Sequence, residues 1–386
     1  MKIVVDDQIP LVQEAFSGFG EIVVCDGRQI DRGTLKNADV LIVRSVTHVN
    51  AELLDQCPVK FVGSATSGVD HVDLDYLGSK KIEFVSAHGS NAQSVVEYVL
   101  SSLFVLAQQN AFNLFDKTVG IIGCGKVGSR LLGALQSLDI NCIVNDPPLQ
   151  EKTGDKRFSD LGNALSADIV TLHVPLTGEG NYPTRYLVNR EFLQNTRSNA
   201  ILINTSRGGV VDEKTLQEHM DDNDRFNVVL DVWEHEPGIN LGLLTKVKIG
   251  TPHIAGYSMD AKIRATNMLY TEFCRHFELH PTWQPAKRYM KLGQLQIRID
   301  SGMADQDAIQ LAVLSHFDVR SDAAGLRRSL EIGHGKTGYY FDELRKNYPV
   351  RREFSATTVY LPATRETLAV TLQQLGFNII TADKWT

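Results

Sequence analysis

Short runs of β-branched and apolar residues alternate with amphipathic segments through the first ninety or so positions. Lys2–Val5, Glu21–Val24, Val40–Val43, Lys60–Val62 and Ile82–Val85 read as strands, with helical stretches such as Leu11–Phe16 and Ala51–Gln56 between them. Strand and helix in regular alternation predict a doubly wound parallel sheet. A long apolar helix follows, about Ala92 to Asn110, and then a β-branched run, Val119, Ile121 and Ile122, that reads as a buried parallel strand. A second βα series continues through Asn141–Asp146, Asp168–Val174, Ala200–Asn204, Asn227–Asp231 and Lys248–Gly250, and closes with a long helix from Met259 to Phe277.

The pattern predicts an α/β protein of two Rossmann-like, doubly wound parallel-sheet lobes with a small C-terminal α+β domain. Long helices before and after the second series suggest that the chain crosses between lobes twice. The first lobe, 1–92, is then completed by 256–280, the second spans 93–255, and a cleft is expected between them. His280-Pro-Thr-Trp-Gln-Pro285 reads as a linker, because two prolines interrupt the helical pattern. Beyond it, Gln294–Ile299, Thr357–Leu361 and Asn378–Thr381 read as strands, and Asp305–Phe317 and Arg365–Leu375 as helices. That predicts a domain over 286–386 with a ferredoxin-like sheet.

Composition narrows the function classes. The 386 residues carry a net charge of −7, which argues against general nucleic-acid binding while allowing local basic pockets. The five cysteines are scattered and show no Cys-x-x-Cys spacing, so reduced thiols are expected and no metal site. Met1-Lys-Ile-Val-Val-Asp-Asp7 turns acidic too early for a signal peptide. Val95–Ala107 carries Glu97 and is too short to span a bilayer. A cytoplasmic protein without membrane partners is expected.

The chemistry begins where the second series opens. After the run ending at Ile122 comes Gly123-Cys-Gly125-Lys126-Val127-Gly128, and then a helical pattern of Val127, Leu131, Leu132, Leu135 and Leu138. Gly123 allows a tight turn, Gly125 lets the backbone approach a pyrophosphate, and Gly128 lets helix and strand pack closely. The helix N-terminus supplies N–H groups and partial positive charge to phosphates. Asp146 ends the next strand, where a carboxylate can accept both ribose hydroxyls and would repel a 2′-phosphate. NAD is therefore the expected cofactor.

Three more polar residues follow predicted strands of this lobe: Arg207 in Asn204-Thr-Ser-Arg-Gly-Gly209, Glu236 in Asp231-Val-Trp-Glu-His-Glu-Pro237, and His253 in Thr251-Pro-His-Ile-Ala-Gly256. An arginine fork holds a carboxylate and polarises a neighbouring carbonyl. A histidine takes an alcohol proton as hydride departs, and a carboxylate beside it orients the ring. Glu234 is a neighbouring rival to Glu236, and Arg207 could instead pair with Asp212.

These four motifs, in this order, resemble the D-2-hydroxyacid dehydrogenase family over roughly residues 1–285. The resemblance implies that Arg207 grips a substrate carboxylate, His253 is the acid/base and Glu236 its partner. Thr205, Ser206, Arg207, Asp231 and Gly256 would lie near the nicotinamide or its ribose, with the pyrophosphate at Gly123–Gly128. Val43-Arg-Ser-Val-Thr47, Phe61-Val-Gly-Ser-Ala-Thr66 and Ala255-Gly-Tyr257 imply that Ser45, Thr66 and Tyr257 contact substrate. Arg44 either binds a substrate phosphate or neutralises a strand end, and these loops suit a phosphorylated polyol acid. Arg345, Lys346, Arg351 and Arg352 form a solvated face or contribute to phosphate binding across a dimer. The added C-terminal domain resembles a dimerisation domain and implies a homodimer. Val174 departs from relatives that often carry a hydroxyl there, which puts a side-chain contact to cofactor in doubt. Alternatives are a dehydrogenase of the 3-phosphoglycerate or hydroxypyruvate type, or an NAD-sensing binding protein without turnover.

Overall fold

The computed structural model describes residues 1–285, 289 and 293–382. The chain divides into two compact units, Met1–Asn91 with Ser258–Leu292, and Ala92–Tyr257 with Gly293–Thr386.

In the first unit, β1 (Lys2–Asp6), β2 (Glu21–Cys25), β3 (Val40–Val43), β4 (Phe61–Ser64) and β5 (Glu83–Ser86) form an all-parallel sheet in the order β2-β1-β3-β4-β5. Ile3, Val4, Val5 and all of β3 are buried, as strands covered by helices on both faces must be. One face packs against the returning helix Met259–His276, whose Leu269, Tyr270 and Phe273 meet Phe16 and Phe61. Phe16 and Phe273 make an edge contact at 5.1 Å between ring centres. The order reverses between β1 and β3, and that is where an open α/β sheet receives ligands. Asp6 and Arg44 stand at the carboxyl ends of these two strands.

In the second unit, β6 (Thr118–Ile122), β7 (Asn141–Asn145), β8 (Ile169–Leu172), β9 (Ile201–Asn204), β10 (Asn227–Leu230) and β11 (Ile249–Gly250) form a six-stranded parallel sheet in the order β11-β10-β9-β8-β6-β7. Its reversal lies between β6 and β8. The helix Ala92–Gln109 is buried along nearly its whole length. It is covered on different sides by the helices Lys126–Ser137 and Asp305–His316, so its apolar residues run all round rather than in one stripe.

β12 (Leu295–Arg298), β13 (Thr357–Pro362) and β14 (Asn378–Ala382) form a third sheet. The ferredoxin-like expectation is corrected here: all three strands are parallel, in the order β12-β13-β14. A ferredoxin-like sheet needs antiparallel neighbours. Each connection here contains a helix, and such crossovers return the chain in the same direction. Arg320–Arg327 and Thr337–Lys346, within the first crossover, are helices whose apolar repeat is too short to flag them in sequence. Ile297, Val313, Phe354, Val359 and Leu372 join the same apolar cluster as Val99 and Leu103 of the long helix. The expected domain start at residue 286 lies outside the described residues.

Candidate active site

The glycine turn has the geometry that its sequence predicts. Gly123 has φ of 90°, in the region that favours glycine. A Cβ on Gly128 would come within 2.0 Å of the Gly123 carbonyl oxygen, so strand and helix approach backbone to backbone there. A Cβ on Gly125 would meet nothing within 4 Å, which leaves open space where phosphate would approach. Gly125 caps the helix Lys126–Ser137 with no side-chain acceptor, so Lys126, Val127 and Gly128 open it with uncapped N–H groups.

Asp146 is more constrained than expected. One of its oxygens accepts the Cys124 N–H at 2.7 Å, and the other caps the helix Pro147–Thr153 through the Leu149 N–H at 3.0 Å. A carboxylate oxygen has two lone pairs, so each retains one for a ribose hydroxyl.

At the end of β9, Asn204 folds the next turn on itself. Its carbonyl oxygen accepts from Ser206 N–H and hydroxyl at 3.0 and 2.7 Å, and its amide donates to the Arg207 carbonyl at 2.9 Å. The Arg207 guanidinium donates to the Ser206 carbonyl at 2.7 Å. Asp212 caps the following helix by accepting the Thr215 N–H at 3.1 Å. Thr205 Oγ1 is buried with no hydrogen-bond partner among the described residues. Buried hydroxyls are normally satisfied, so this one is open to a ligand atom.

Trp233 ties three distant segments together. Gly208 sits so close to the Trp233 carbonyl that a Cβ would come within 1.9 Å of its oxygen. The Trp233 N–H donates to Glu236 Oε1 at 2.9 Å, and its indole N–H to the Thr251 carbonyl at 3.0 Å. The loops bearing Arg207, Glu236 and His253 thus meet at one residue, the first two at the Trp233 backbone and the third at its indole.

Glu236 Oε2 lies 2.7 Å from His253 Nδ1. Burial, the largest influence on the Glu236 carboxyl, pushes it toward protonation. The His253 charge and hydrogen bond, the Trp233 N–H and the Arg345 charge outweigh it and hold the group below its ordinary value. Glu234 is not beside the histidine; Tyr186 donates to its carboxylate instead.

His253 has φ of 56°, a left-handed conformation that a non-glycine residue keeps when its surroundings over-determine it. Asp231 provides that restraint. Its carbonyl accepts the His253 N–H at 2.7 Å, one carboxylate oxygen accepts the Thr251 hydroxyl at 2.6 Å and the Ile254 N–H at 2.8 Å, and the other accepts the Ala255 N–H at 2.8 Å. Asp231, expected beside the cofactor, is 1% exposed and organises the histidine loop. Tyr98 extends the chain through Thr251 at 2.6 Å. Neither Thr251 nor Tyr98 has a sequence signal beyond being polar within apolar surroundings. Gly256 lies inside the turn closed by the Tyr257 N–H and the Ile254 carbonyl.

Arg351 and Arg352, expected on a solvated face or at a phosphate, are 7% and 4% exposed. Arg345 is partly buried beside Tyr257 and Lys346 exposed. Apolar packing and carbonyl partners hold these arginine heads inside, which a charge pattern cannot reveal.

In the first unit, Arg44 Nε pairs with Asp6 at 2.9 Å, Asp6 being fully buried. Ser45 follows and is exposed. Thr66 Oγ1 lies 2.8 Å from Ser64 Oγ, which lies 2.9 Å from His71 Nε2.

Among the described residues no group of three or more His, Cys, Asp or Glu could hold a metal ion, and no helix is long and apolar enough to cross a membrane. Residues 96–255 match the D-isomer specific 2-hydroxyacid dehydrogenase, NAD binding domain, and 291–376 match a domain of unknown function. The chain is 44% identical to the erythronate-4-phosphate dehydrogenase of Hahella chejuensis, covering 98% of this chain and 99% of that one. It is 42% identical to the enzyme of the same name from Chromohalobacter salexigens, over the whole of both chains. NAD-bound 3-phosphoglycerate dehydrogenase from Entamoeba histolytica shares the fold, with a TM-score of 0.63 at 24% identity over 74% of this chain and 99% of that one.

Proposed function

The chain belongs to the erythronate-4-phosphate dehydrogenases within the D-2-hydroxyacid dehydrogenase family, and from that premise we propose that it oxidises 4-phospho-D-erythronate at C2. The product is 3-hydroxy-2-oxo-4-phosphobutanoate, formed in pyridoxal phosphate (vitamin B6) biosynthesis. NAD, when bound, accepts the hydride from C2. The uncapped N–H groups at Gly125–Gly128, the remaining acceptors of Asp146 and the unpartnered Thr205 hydroxyl fit that cofactor.

Arg207 holds the substrate carboxylate and draws charge toward it as the C2 carbonyl forms. His253 removes the C2 hydroxyl proton with Nε2, which has no partner among the described residues. Glu236 accepts the Nδ1–H, fixes the ring so that Nε2 carries the lone pair, and stabilises the imidazolium that results. The observation that carries this reading is the 2.7 Å contact between His253 Nδ1 and a carboxylate held ionised.

Ser45, Thr66 and Tyr257 contact the polyol, and Arg44 the phosphate. Asp6 occupies Arg44 Nε and leaves both terminal amino groups for phosphate oxygens. Lobes 1–92 with 256–280 and 93–255 serve substrate and cofactor, and 286–386 joins two copies. Exposed Val370 and Ile380 in the third-sheet region support a homodimer, and five unpaired cysteines suit the cytoplasm.

The test is NADH formation with 4-phosphoerythronate, 3-phosphoglycerate and unphosphorylated hydroxy acids side by side. The highest kcat/KM belongs to the four-carbon phosphate. A preference for 3-phosphoglycerate would move the substrate assignment, and NAD binding without turnover on any acid would leave a sensing protein.

A further inference from the structure

Two arginines of the carboxyl-terminal region reach the loop that carries His253. Arg351 is almost wholly buried, donates to the Ala255 carbonyl at 3.1 Å and to the Ser94 carbonyl at 2.6 Å, and lies 3.8 Å from the Phe317 ring centre. It clamps the loop's backbone two residues beyond the histidine. Arg345, on the helix Thr337–Lys346, lies at the loop's far end. Its guanidinium carbon is 5.6 Å from the Tyr257 ring centre and 6.0 Å from that of Phe341. Its Nε is buried and has no hydrogen-bond partner among the described residues. The edge of Tyr348 closes the other side of Tyr257 at 5.8 Å.

We propose that Arg345 is a positioning residue for the dehydrogenation, holding the Tyr257 side chain in place at the end of the His253 loop. The proposal deepens the reading above and rests on it. A guanidinium is always charged and carries a fork of N–H donors, so it holds the Tyr257 side chain by charge and hydrogen bond in a way that an ammonium does less well. Its charge favours the ionised form of Glu236. His253 and Glu213 are the other titratable groups acting on that carboxylate, while Tyr257 and Asp342 also face Arg345. Glu213 is pushed by burial to about 7 and would add repulsion to Glu236 once ionised. The Arg345 charge adds to the stronger pull of His253 and of the Trp233 N–H on that carboxylate. The third-sheet region thereby contributes to the chemistry as well as to the fold.

Arg345→Met removes the charge and keeps an apolar side chain; Arg345→Lys keeps the charge and loses the guanidinium's fork of donors. With full-length protein, NAD titration followed by fluorescence should stay within about twofold of wild type for both, since neither touches the glycine turn. For R345M, kcat/KM for 4-phosphoerythronate should fall about tenfold, and the acid limb of its pH profile should move to higher pH as Glu236 protonates more readily. R345K should return that limb to its wild-type position while kcat/KM stays below wild type. An R345M enzyme with wild-type kcat/KM and an unmoved acid limb would overturn the proposal. If wild type oxidises a different 2-hydroxy acid instead, the substrate assignment fails, and the same comparison on that acid decides the role of Arg345.

Discussion

Replacing Glu236 by Gln keeps the size of the side chain, removes its charge and sets two hydrogen bonds against each other. In the native site one oxygen accepts the Trp233 N–H at 2.9 Å and the other faces His253 Nδ1 at 2.7 Å. Glutamine has one acceptor and one donor at these two places. If its oxygen stays with the Trp233 N–H, its NH2 faces Nδ1 and selects the tautomer with the proton on Nε2, which cannot act as a base. If the amide flips, two donors oppose each other at Trp233, at a cost of about 1–3 kcal/mol for the unsatisfied buried group. The imidazolium also loses a charged partner, worth about 1.5–3 kcal/mol for a charge-assisted hydrogen bond at a half-buried site. Together these put the loss in kcat/KM for oxidation at about 10²–10⁴-fold. The tautomer effect in a Ser-His-Asp triad, about 10⁴-fold, marks an upper bound. The assay is steady-state NADH formation over a range of pH, beside an NAD titration that should change little. A kcat/KM within threefold of wild type at every pH would refute the pairing of Glu236 with the base.

Gly128→Ala should abolish NAD binding and lower the melting temperature, because a Cβ within 2.0 Å of the Gly123 carbonyl forces helix and strand apart; cofactor titration and a thermal melt check both. Arg44→Met should raise KM for 4-phosphoerythronate at least tenfold while barely changing turnover of unphosphorylated erythronate, and equal effects on the two would remove the phosphate role. Glu97 is fully buried, and burial, then the neighbouring Glu353, raises its carboxyl to about 8. A raised folded-state value means its contribution is fully present below the ordinary value of 4.5 and is lost as pH climbs through about 8. Glu97→Gln should therefore flatten the fall in stability between pH 4.5 and about 8, read from denaturation midpoints.

The two large parallel sheets, the glycine turn and the three polar strand ends are legible in the linear pattern because their causes are local. An apolar β-branched run makes a buried strand wherever it sits, and glycines at that spacing make the same turn. Parallel topology then sends the carboxyl ends of β6, β9, β10 and β11 to one edge, so Arg207, Glu236 and His253 can be chosen without coordinates. Local pattern does not carry the direction of neighbouring strands in the third sheet, the Trp233 backbone and indole where three loops meet, or the left-handed backbone of His253. Nor does a charge pattern bring Arg345 and Arg351 in from a solvated face or a phosphate. Each depends on partners more than fifteen residues away, and a guanidinium becomes an interior group when a carbonyl or an aromatic ring from another segment meets it. The sequence by itself determined which groups could do the chemistry; the tertiary structure decided which of them are held still, and by what.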